Sequence, residues 1–153
     1  MGSAEVSKGY HALVYGASGI TGWAIVNQIL NNYPDATTFS KVTALTNRPL
    51  SPEVTQWPKS SKLELVSGLD LLKESQEELE KSMQEKISGI RNVTHVFFFA
   101  YIMDADPEQE IAINVDLLKR AVVAIEHLST NLQFVVLPTG TKVCCPEGLP
   151  GSP

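Results

Sequence analysis

Apolar residues occur along this 153-residue chain in short runs that are separated by polar segments. Runs of this length, bounded by glycine, proline and polar residues, are typical of buried strands. The run at 93–101 is apolar throughout its middle, as expected for the centre of a parallel sheet covered on both faces. The pattern predicts five strands, at residues 11–15, 41–46, 63–66, 93–101 and 132–137.

Helical spacing of apolar residues predicts three helices between these strands. The first begins in a glycine-rich loop and runs to about Asn31, the second lies in the charged segment 70–90, and the third begins at Asp106 and Pro107 with a cap and an N-terminal proline. The apolar positions of the three helices are Trp23, Val26, Ile29 and Leu30; then Leu72, Leu79, Met83 and Ile90; then Ile111, Val115, Leu118, Val122 and Ile125. The Glu and Lys run of the second helix is interpreted as a solvated face, and the proline-containing segment 50–61 as a loop.

Strands that alternate with helices imply a parallel sheet with right-handed crossovers. We therefore predict the α/β class, a three-layer doubly wound parallel sheet with strand order 3-2-1-4-5. In such sheets, ligands bind at the carboxyl ends of the strands, where the order reverses.

Composition indicates one globular domain, since 43% of the residues are hydrophobic and 19% are charged. The net charge of −5 argues against nucleic-acid binding and against an anionic membrane surface. The longest apolar run, 96–103, is too short to span a membrane, and the first twelve residues do not form a secretory signal, so we expect a cytoplasmic protein. The adjacent Cys144 and Cys145 fit a reducing compartment, and no metal site is expected.

A glycine-rich loop, Gly16-Ala17-Ser18-Gly19-Ile20-Thr21-Gly22, joins the first strand to the first helix. Glycine lets backbone N–H groups approach a pyrophosphate, and the N-terminal end of a helix favours an anion. The spacing is G-x-x-G-x-x-G, and a turn with tight helix packing is the alternative explanation. A phosphate-loop NTPase is disfavoured, because no Gly-Lys-Ser/Thr follows.

The end of the second strand bears on the choice between NAD and NADP. An acidic residue there would bind the ribose hydroxyls, but this chain has Thr46-Asn47-Arg48. Arg48 can make a bidentate contact with a phosphate, which favours NADP(H); a solvated loop arginine is the alternative. Asp70, just after the third strand, is placed for an adenine contact or, alternatively, for a helix cap.

Four segments in order resemble the progesterone 5β-reductase/iridoid synthase-like (PRISE) group of atypical short-chain dehydrogenases/reductases. They are the glycine loop, Thr46-Asn47-Arg48-Pro49, Asn92-Val93-Thr94-His95-Val96-Phe97 and Thr139-Gly140-Thr141-Lys142. The resemblance covers about residues 12–143 and is nearest to fungal and microbial members, which are often tied to secondary metabolism. It implies the N-terminal NADP-binding portion of such a reductase. The expected organisation is a disordered tail at 1–9, an NAD(P)-binding Rossmann domain at 10–143 and an irregular tail at 144–153.

Members of this group use NADPH to transfer hydride to the β-carbon of enones. The resemblance implies one role for each group of matching residues. The pyrophosphate would be held by the glycine loop, through Gly16, Ser18, Gly19, Ile20, Thr21 and Gly22. Asn47 and Arg48 would hold the adenosine phosphate, and Asp70 and Leu71 would contact the adenine. Ala100 and Tyr101 would lie beside the cofactor, and Lys142 would be the active-site lysine.

The family's catalytic tyrosine lies well downstream of its lysine, and the tyrosines of this chain, at 10, 15, 33 and 101, do not match that motif. We therefore expect little or no reduction of an enone or carbonyl substrate by this chain alone. The alternatives are a non-catalytic module that binds a nucleotide or a partner, and a truncated fragment. The last strand is expected to form a hydrophobic edge, through which copies of the chain could associate.

Overall fold

Five parallel strands form a single sheet in the order β3-β2-β1-β4-β5, which confirms the predicted fold class and strand order. The structure, a computed structural model, describes residues 9–72 and 75–138. The strands are β1 (Tyr10–Tyr15), β2 (Phe39–Thr46), β3 (Leu63–Ser67), β4 (His95–Phe98) and β5 (Phe134–Val136). All four pairings between neighbouring strands are parallel.

Helices cover the two faces of this sheet. They are α1 (Ile20–Leu30), the short α2 (Pro52–Thr55), α3 (Gln76–Lys86) and α4 (Pro107–Leu128), with a 3₁₀ turn at Ile90–Asn92. One apolar cluster joins the sheet to α3 and α4 and contains Leu79, Met83 and Ile125, all fully buried. The other cluster joins the sheet to α1 and contains Val26 and Trp57. The two clusters form the three-layer core, because apolar side chains leave water on both faces of the central strands.

Local capping signals determine where α3 and α4 begin. Ser75 and Glu78 form a capping box at the start of α3. Asp106 caps α4 by accepting a hydrogen bond from the Glu108 N–H, and Pro107 occupies the first turn, as the sequence predicted.

Three predicted elements differ from the structure. The helix predicted in the segment 70–90 is shorter, because α3 covers only Gln76–Lys86 and leaves Leu72 and Ile90 outside the helix. β4 spans His95–Phe98 rather than 93–101. It begins late because it follows the 3₁₀ turn at Ile90–Asn92, and it ends early because the chain then passes close to the glycine loop, where a Cβ on Gly16 would lie 2.7 Å from the backbone of Phe99. The segment 50–61 is not entirely loop, because Ser51 and Pro52 start the short helix α2. Proline suits this first helical position, since its φ is already helical.

The apolar stripe predicted for α4 was wrong in its first half. Ile111 and Val115 are 66% and 44% exposed, whereas Leu117, Ala121, Ala124 and Ile125 are buried. A helix of 22 residues is about 33 Å long and extends beyond the short strands β4 and β5. The side of its N-terminal half that carries Ile111 and Val115 therefore meets no covering layer among the described residues, whereas Ile113 packs against the core.

Several predictions lie outside the described residues. These are the C-terminal tail, the cysteine pair, Lys142 and almost all of the N-terminal tail. Within residues 9–72 and 75–138, no helix is both long enough and apolar enough to span a membrane. The same residues contain no cluster of three or more metal-binding side chains.

Candidate functional site

Two adjoining cavities lie at the carboxyl ends of the strands, where the strand order reverses. The first has a volume of about 360 Å³ and the second about 240 Å³. Both are lined by Gly19, Phe99, Ala100 and Tyr101, so they meet above the glycine loop. All the described residues that the sequence predicted for the site line one cavity or the other. Gly16, Ser18, Asn47, Arg48, Asp70 and Leu71 line the first, Ile20, Thr21 and Gly22 line the second, and Gly19, Ala100 and Tyr101 line both.

Two of the three loop glycines are required by the fold itself. Gly16 has φ of 72°, a conformation that side chains disfavour. A Cβ on Gly22 would lie 2.3 Å from the Gly16 carbonyl oxygen, which prevents α1 from packing this closely against the loop. The alternative of a turn and tight helix packing therefore accounts for Gly16 and Gly22.

Gly19 has no such structural reason to be glycine. Its φ of −79° is open to any residue, and the nearest atom to an added Cβ, the Gly16 carbonyl oxygen, lies 3.4 Å away. Gly19 lines both cavities, so a large side chain at this position would take up space where they meet. The missing side chain thus leaves a cradle over the start of α1 that a ligand can fill, as a pyrophosphate does in dinucleotide-binding folds.

The start of α1 provides donors to this cradle. Gly19 is the N-cap, and the first helical hydrogen bond runs from the Trp23 N–H to the Gly19 carbonyl oxygen at 2.8 Å. Among the described residues, no side chain caps this end and no acidic residue lies in the first turn. The N–H groups of Ile20, Thr21 and Gly22 therefore face the cradle at the positive end of the helix dipole.

Arg48 and Asp70 bring opposite charges to the first cavity. Arg48 is exposed on the turn after β2, and its carbonyl oxygen accepts a hydrogen bond from Thr46 Oγ1 at 2.8 Å. Asp70 Oδ1 accepts a hydrogen bond from the Leu72 N–H at 3.0 Å. Asp70 therefore holds a turn, and the alternative that it caps a helix was wrong, because the cap of α3 is Ser75.

Two tyrosines line the first cavity, and both phenols are held by the protein. Tyr15 is buried, its hydroxyl lies 3.8 Å from Met83 Sδ, and burial raises its pKa. The Tyr101 hydroxyl donates to Glu110, and this hydrogen bond raises the pKa of Tyr101. Both side chains therefore stay protonated at neutral pH.

Asn114 shapes the rim of the site and was missed by the sequence analysis. Its Oδ1 accepts from the Ile102 N–H at 2.9 Å, and its Nδ2 donates to the Ile102 carbonyl oxygen at 2.7 Å. The amide thus fixes the segment after Tyr101 against α4. One feature of the sequence could have identified it. Asn114 directly precedes Val115 in the predicted apolar stripe of the helix, and a polar side chain in such a position needs a hydrogen-bonding partner.

The model of the PRISE-like Rossmann-fold domain family matches residues 12–148. A short chain dehydrogenase from Aspergillus calidoustus, ausT, is 41% identical over 135 residues, which are 86% of this chain and 32% of that protein. The short chain dehydrogenase sirS of Leptosphaeria maculans is 35% identical over 137 residues, 86% of this chain and 33% of that protein. This chain thus spans about a third of the length of these relatives.

Solved structures share the fold at lower identity. Uronate dehydrogenase from Agrobacterium tumefaciens superposes with a TM-score of 0.51 at 17% identity, over 77% of this chain and 36% of that chain. A short chain dehydrogenase family protein from Francisella tularensis subsp. tularensis SCHU S4 superposes with a TM-score of 0.52 at 20% identity, over 79% of this chain and 47% of that chain. Together, the family match and the fungal relatives confirm the resemblance seen in the sequence: the chain belongs to the PRISE-like Rossmann-fold domain family.

Proposed function

We propose that this chain binds NADP(H) as the cofactor-binding portion of a short-chain dehydrogenase/reductase. The observation that carries the proposal is Gly19, whose missing side chain leaves an open cradle at the uncapped start of α1. The short chain dehydrogenase relatives, 41% and 35% identical, support a nicotinamide coenzyme. Arg48 in the adjoining cavity supports the phosphorylated form, because a guanidinium pairs well with a phosphate.

The residues present fit such a coenzyme. The N–H groups at the start of α1 would bind its diphosphate, and Asn47 and Arg48 its 2′-phosphate. Asp70 and Leu71 would contact the adenine at the far side of the first cavity. Ala100 and Tyr101, which line both cavities, would lie beside the nicotinamide half.

The proposed reaction of the whole protein is reduction of an enone or carbonyl substrate, for which NADPH supplies the hydride. Lys142 is proposed as the cation that anchors the nicotinamide ribose or stabilises the developing enolate oxygen. We extend the proposal to a cytoplasmic enzyme. A role in secondary metabolism is proposed from the resemblance to fungal short chain dehydrogenases.

A specific observation favours a second candidate function, a module that binds the coenzyme but catalyses no reaction. The two phenols at the site are engaged elsewhere, since Tyr101 donates to Glu110 and Tyr15 is buried against Met83. Neither is available to donate a proton to a reduced substrate. Turnover of a simple enone by the 153-residue chain would exclude this module, and coenzyme binding without turnover would support it.

Calorimetric titration with NADPH tests the proposed site. We expect Gly19→Leu to weaken binding at least about tenfold, because the new side chain fills the cradle that the diphosphate needs. Ala24→Leu is the matched control, since Ala24 is exposed on the same helix and the change is also to leucine. The proposal fails if the unmodified chain does not bind NADPH, or if Gly19→Leu binds it equally well.

The choice of coenzyme is tested by titrating NADPH and NADH into Arg48→Ala. We expect this change to remove most of the preference for NADPH and to leave NADH binding unchanged, because NADH has no 2′-phosphate. Lys59→Ala is the control, as Lys59 is an exposed cation that does not line either cavity. Equal affinity of the unmodified chain for the two coenzymes would contradict the assignment of Arg48.

A further inference from the structure

A chain of hydrogen bonds ties the turn that carries Arg48 to the ends of two strands. Thr46 Oγ1, at the end of β2, lies 2.8 Å from the Arg48 carbonyl oxygen. Ser67 Oγ, at the end of β3, lies 3.0 Å from Thr46 Oγ1. The Leu50 N–H approaches Ser67 Oγ from the other side of the turn, at 3.4 Å.

The chemistry of the groups sets the direction of this chain. The Thr46 hydroxyl has a single hydrogen, which it donates to the Arg48 carbonyl oxygen. Ser67 must therefore donate its own hydrogen to Thr46 Oγ1, and its lone pairs remain free to accept from the Leu50 N–H. Each hydroxyl thus both donates and accepts, and the donors run in one order from Leu50 through Ser67 and Thr46 to Arg48.

The consequence is a turn that is held on both sides of Arg48. Thr46 is only 3% exposed, so its hydroxyl has little access to water as a competing partner. Pro49, between Arg48 and Leu50, adds a φ fixed by its ring. The backbone from which the Arg48 side chain projects into the first cavity is therefore set by β2 and β3 together.

We propose that Thr46 and Ser67 are positioning residues that determine the preference for the 2′-phosphorylated coenzyme. This inference rests on the proposed function, because it needs Arg48 to contact a 2′-phosphate. Loss of either hydroxyl frees the turn and lets the guanidinium leave the geometry in which it binds that phosphate. Both hydroxyls bond to the turn after β2, whereas the diphosphate that NADH shares with NADPH would bind at the start of α1.

The test measures the dissociation constants for NADPH and NADH in three variants of the full chain. Thr46→Val removes the hydroxyl at nearly constant shape, Ser67→Ala removes the second hydroxyl, and Thr46→Ser restores a hydroxyl at 46. We expect the first two to weaken NADPH binding about five- to tenfold, with NADH changed less than about twofold, and Thr46→Ser to keep the original ratio. Thr55→Val is the matched control, because Thr55 is equally buried and its hydroxyl bonds to Pro52 in α2 instead.

The outcomes separate this inference from the proposed function. If the unmodified chain binds neither coenzyme, the proposed function fails. If it prefers NADPH and Thr46→Val keeps the same preference, the positioning role is wrong while the proposed function stands. An equal loss of both coenzymes, or an equal effect of Thr55→Val, would show a merely structural role and would also overturn the inference.

A separate observation concerns the edge strand β5. In the described sheet β5 pairs only with β4, which leaves one side of its backbone without a strand partner. Phe134, Val135, Val136 and Leu137 are 60%, 40%, 41% and 46% exposed. An apolar edge of this kind is a template for pairing with another strand.

Charge favours a second copy of the chain as the occupant of this edge. Residues 132–138 contain no charged side chain, so two copies can pair there despite a net charge of −5 per chain. The exposed apolar residues of α4 differ in this respect. Ile111 and Val115 lie among Glu108, Glu110 and Asp116, so that pairing through α4 would bring carboxylates together.

We infer that two copies associate by pairing β5 with β5 in antiparallel orientation. A two-fold axis beside Val135 would place Phe134 of each copy opposite Val136 of the other, which satisfies the unpaired backbone groups of both edges.

Sedimentation equilibrium over a hundredfold range of concentration tests this pairing. We expect a dimer that dissociates on dilution, and we expect Phe134→Lys to remain monomeric at every concentration, because a charge on the edge opposes pairing. Ile111→Lys, an equally exposed apolar position, is the control and should still dimerise. Val135→Lys serves as a second edge variant, and a thermal melt checks that each variant folds. A monomer at all concentrations, or a dimer that only Ile111→Lys disrupts, would overturn the inference.

Discussion

The two ends of the parallel sheet both carry polar side chains beside a cavity, and they differ in where those polar groups find their partners. At the amino end, a cavity of about 680 Å³ is lined by His11, Lys41 and Ser88. At the carboxyl end, the first cavity is smaller, about 360 Å³. Cavity size alone would favour the amino end as the binding site.

The polar groups of the amino end bond to one another. His11 Nε2 lies 2.8 Å from Thr43 Oγ1, which donates to Glu64 Oε2 at 2.9 Å. Lys41 Nζ pairs with the same oxygen at 2.8 Å, and the Ser88 N–H donates to Glu64 Oε1 at 2.9 Å. Burial alone would raise the pKa of Glu64, but the hydrogen bonds from Lys41, Ser88 and Thr43 outweigh it and leave that pKa lowered.

At the carboxyl end, two polar groups are instead left open to a ligand, namely the start of α1 and the Arg48 side chain. The start of α1 has no capping side chain among the described residues, Gly19 leaves open space, and Arg48 is exposed. A binding site is thus indicated by donors and charges that the fold leaves available for a ligand. A cavity whose polar groups are already hydrogen-bonded within the protein has fewer groups available to bind a ligand, whatever its volume.

The largest expected effect comes from removing the centre of the amino-end network. Glu64→Ala should lower the free energy of unfolding by about 2 to 3 kcal/mol, because Lys41, Thr43 and Ser88 would lose a partly buried anionic partner. NADPH affinity of the folded variant should not change. Urea denaturation and calorimetry measure the two quantities, and Glu77→Ala, on the exposed side of α3, is the control. A loss of NADPH affinity without loss of stability would reverse the roles assigned to the two ends.

The pH dependence of stability tests the structural role of the amino-end network. Burial, followed by the nearby Lys41, lowers the pKa of His11 from 6.5 to about 4. The unfolded chain therefore takes up a proton below pH 6.5 that the folded chain resists, so stability falls as the pH drops from 6.5 towards 4. Between pH 7.5 and 5 the loss from His11 should be about 2 kcal/mol. Urea melts of the chain and of His11→Asn measure it, and a variant as pH-sensitive as the parent in this range would contradict the assignment.

The smallest expected effect separates two glycines of one loop. Gly22→Ala should lower the free energy of unfolding by about 1 to 2 kcal/mol, because its Cβ would meet the Gly16 carbonyl oxygen at 2.3 Å and the helical preference of alanine offsets only part of that cost. Gly19→Ala should cost less, about 0.5 kcal/mol, since its Cβ meets no atom closer than 3.4 Å and only the poorer N-cap preference of alanine remains. Thermal melts compare the two, and equal destabilisation would show that Gly19 also serves packing.

Predictions from the sequence succeeded where neighbouring residues carry the information. Asp106 and Pro107 start α4 by local capping, and the buried runs form β1 and β2 near their predicted positions. They were wrong where distant parts of the chain meet. β4 stops early because of the glycine loop, more than seventy residues before it, and Ile111 is exposed because α4 extends past the sheet.

The candidate site divides in the same way. The periodicity of apolar residues was enough to predict a doubly wound sheet. The glycine spacing predicted an anion-binding site after the first strand, and a cationic residue followed the second. These patterns could not show which glycine leaves space for a ligand, or that Ser67 reaches Thr46 and Asn114 reaches Ile102. Local preferences are properties of neighbouring residues and are legible in the sequence. Free space and long-range hydrogen bonds exist only once separate strands and helices are packed side by side, so the tertiary structure alone decided them.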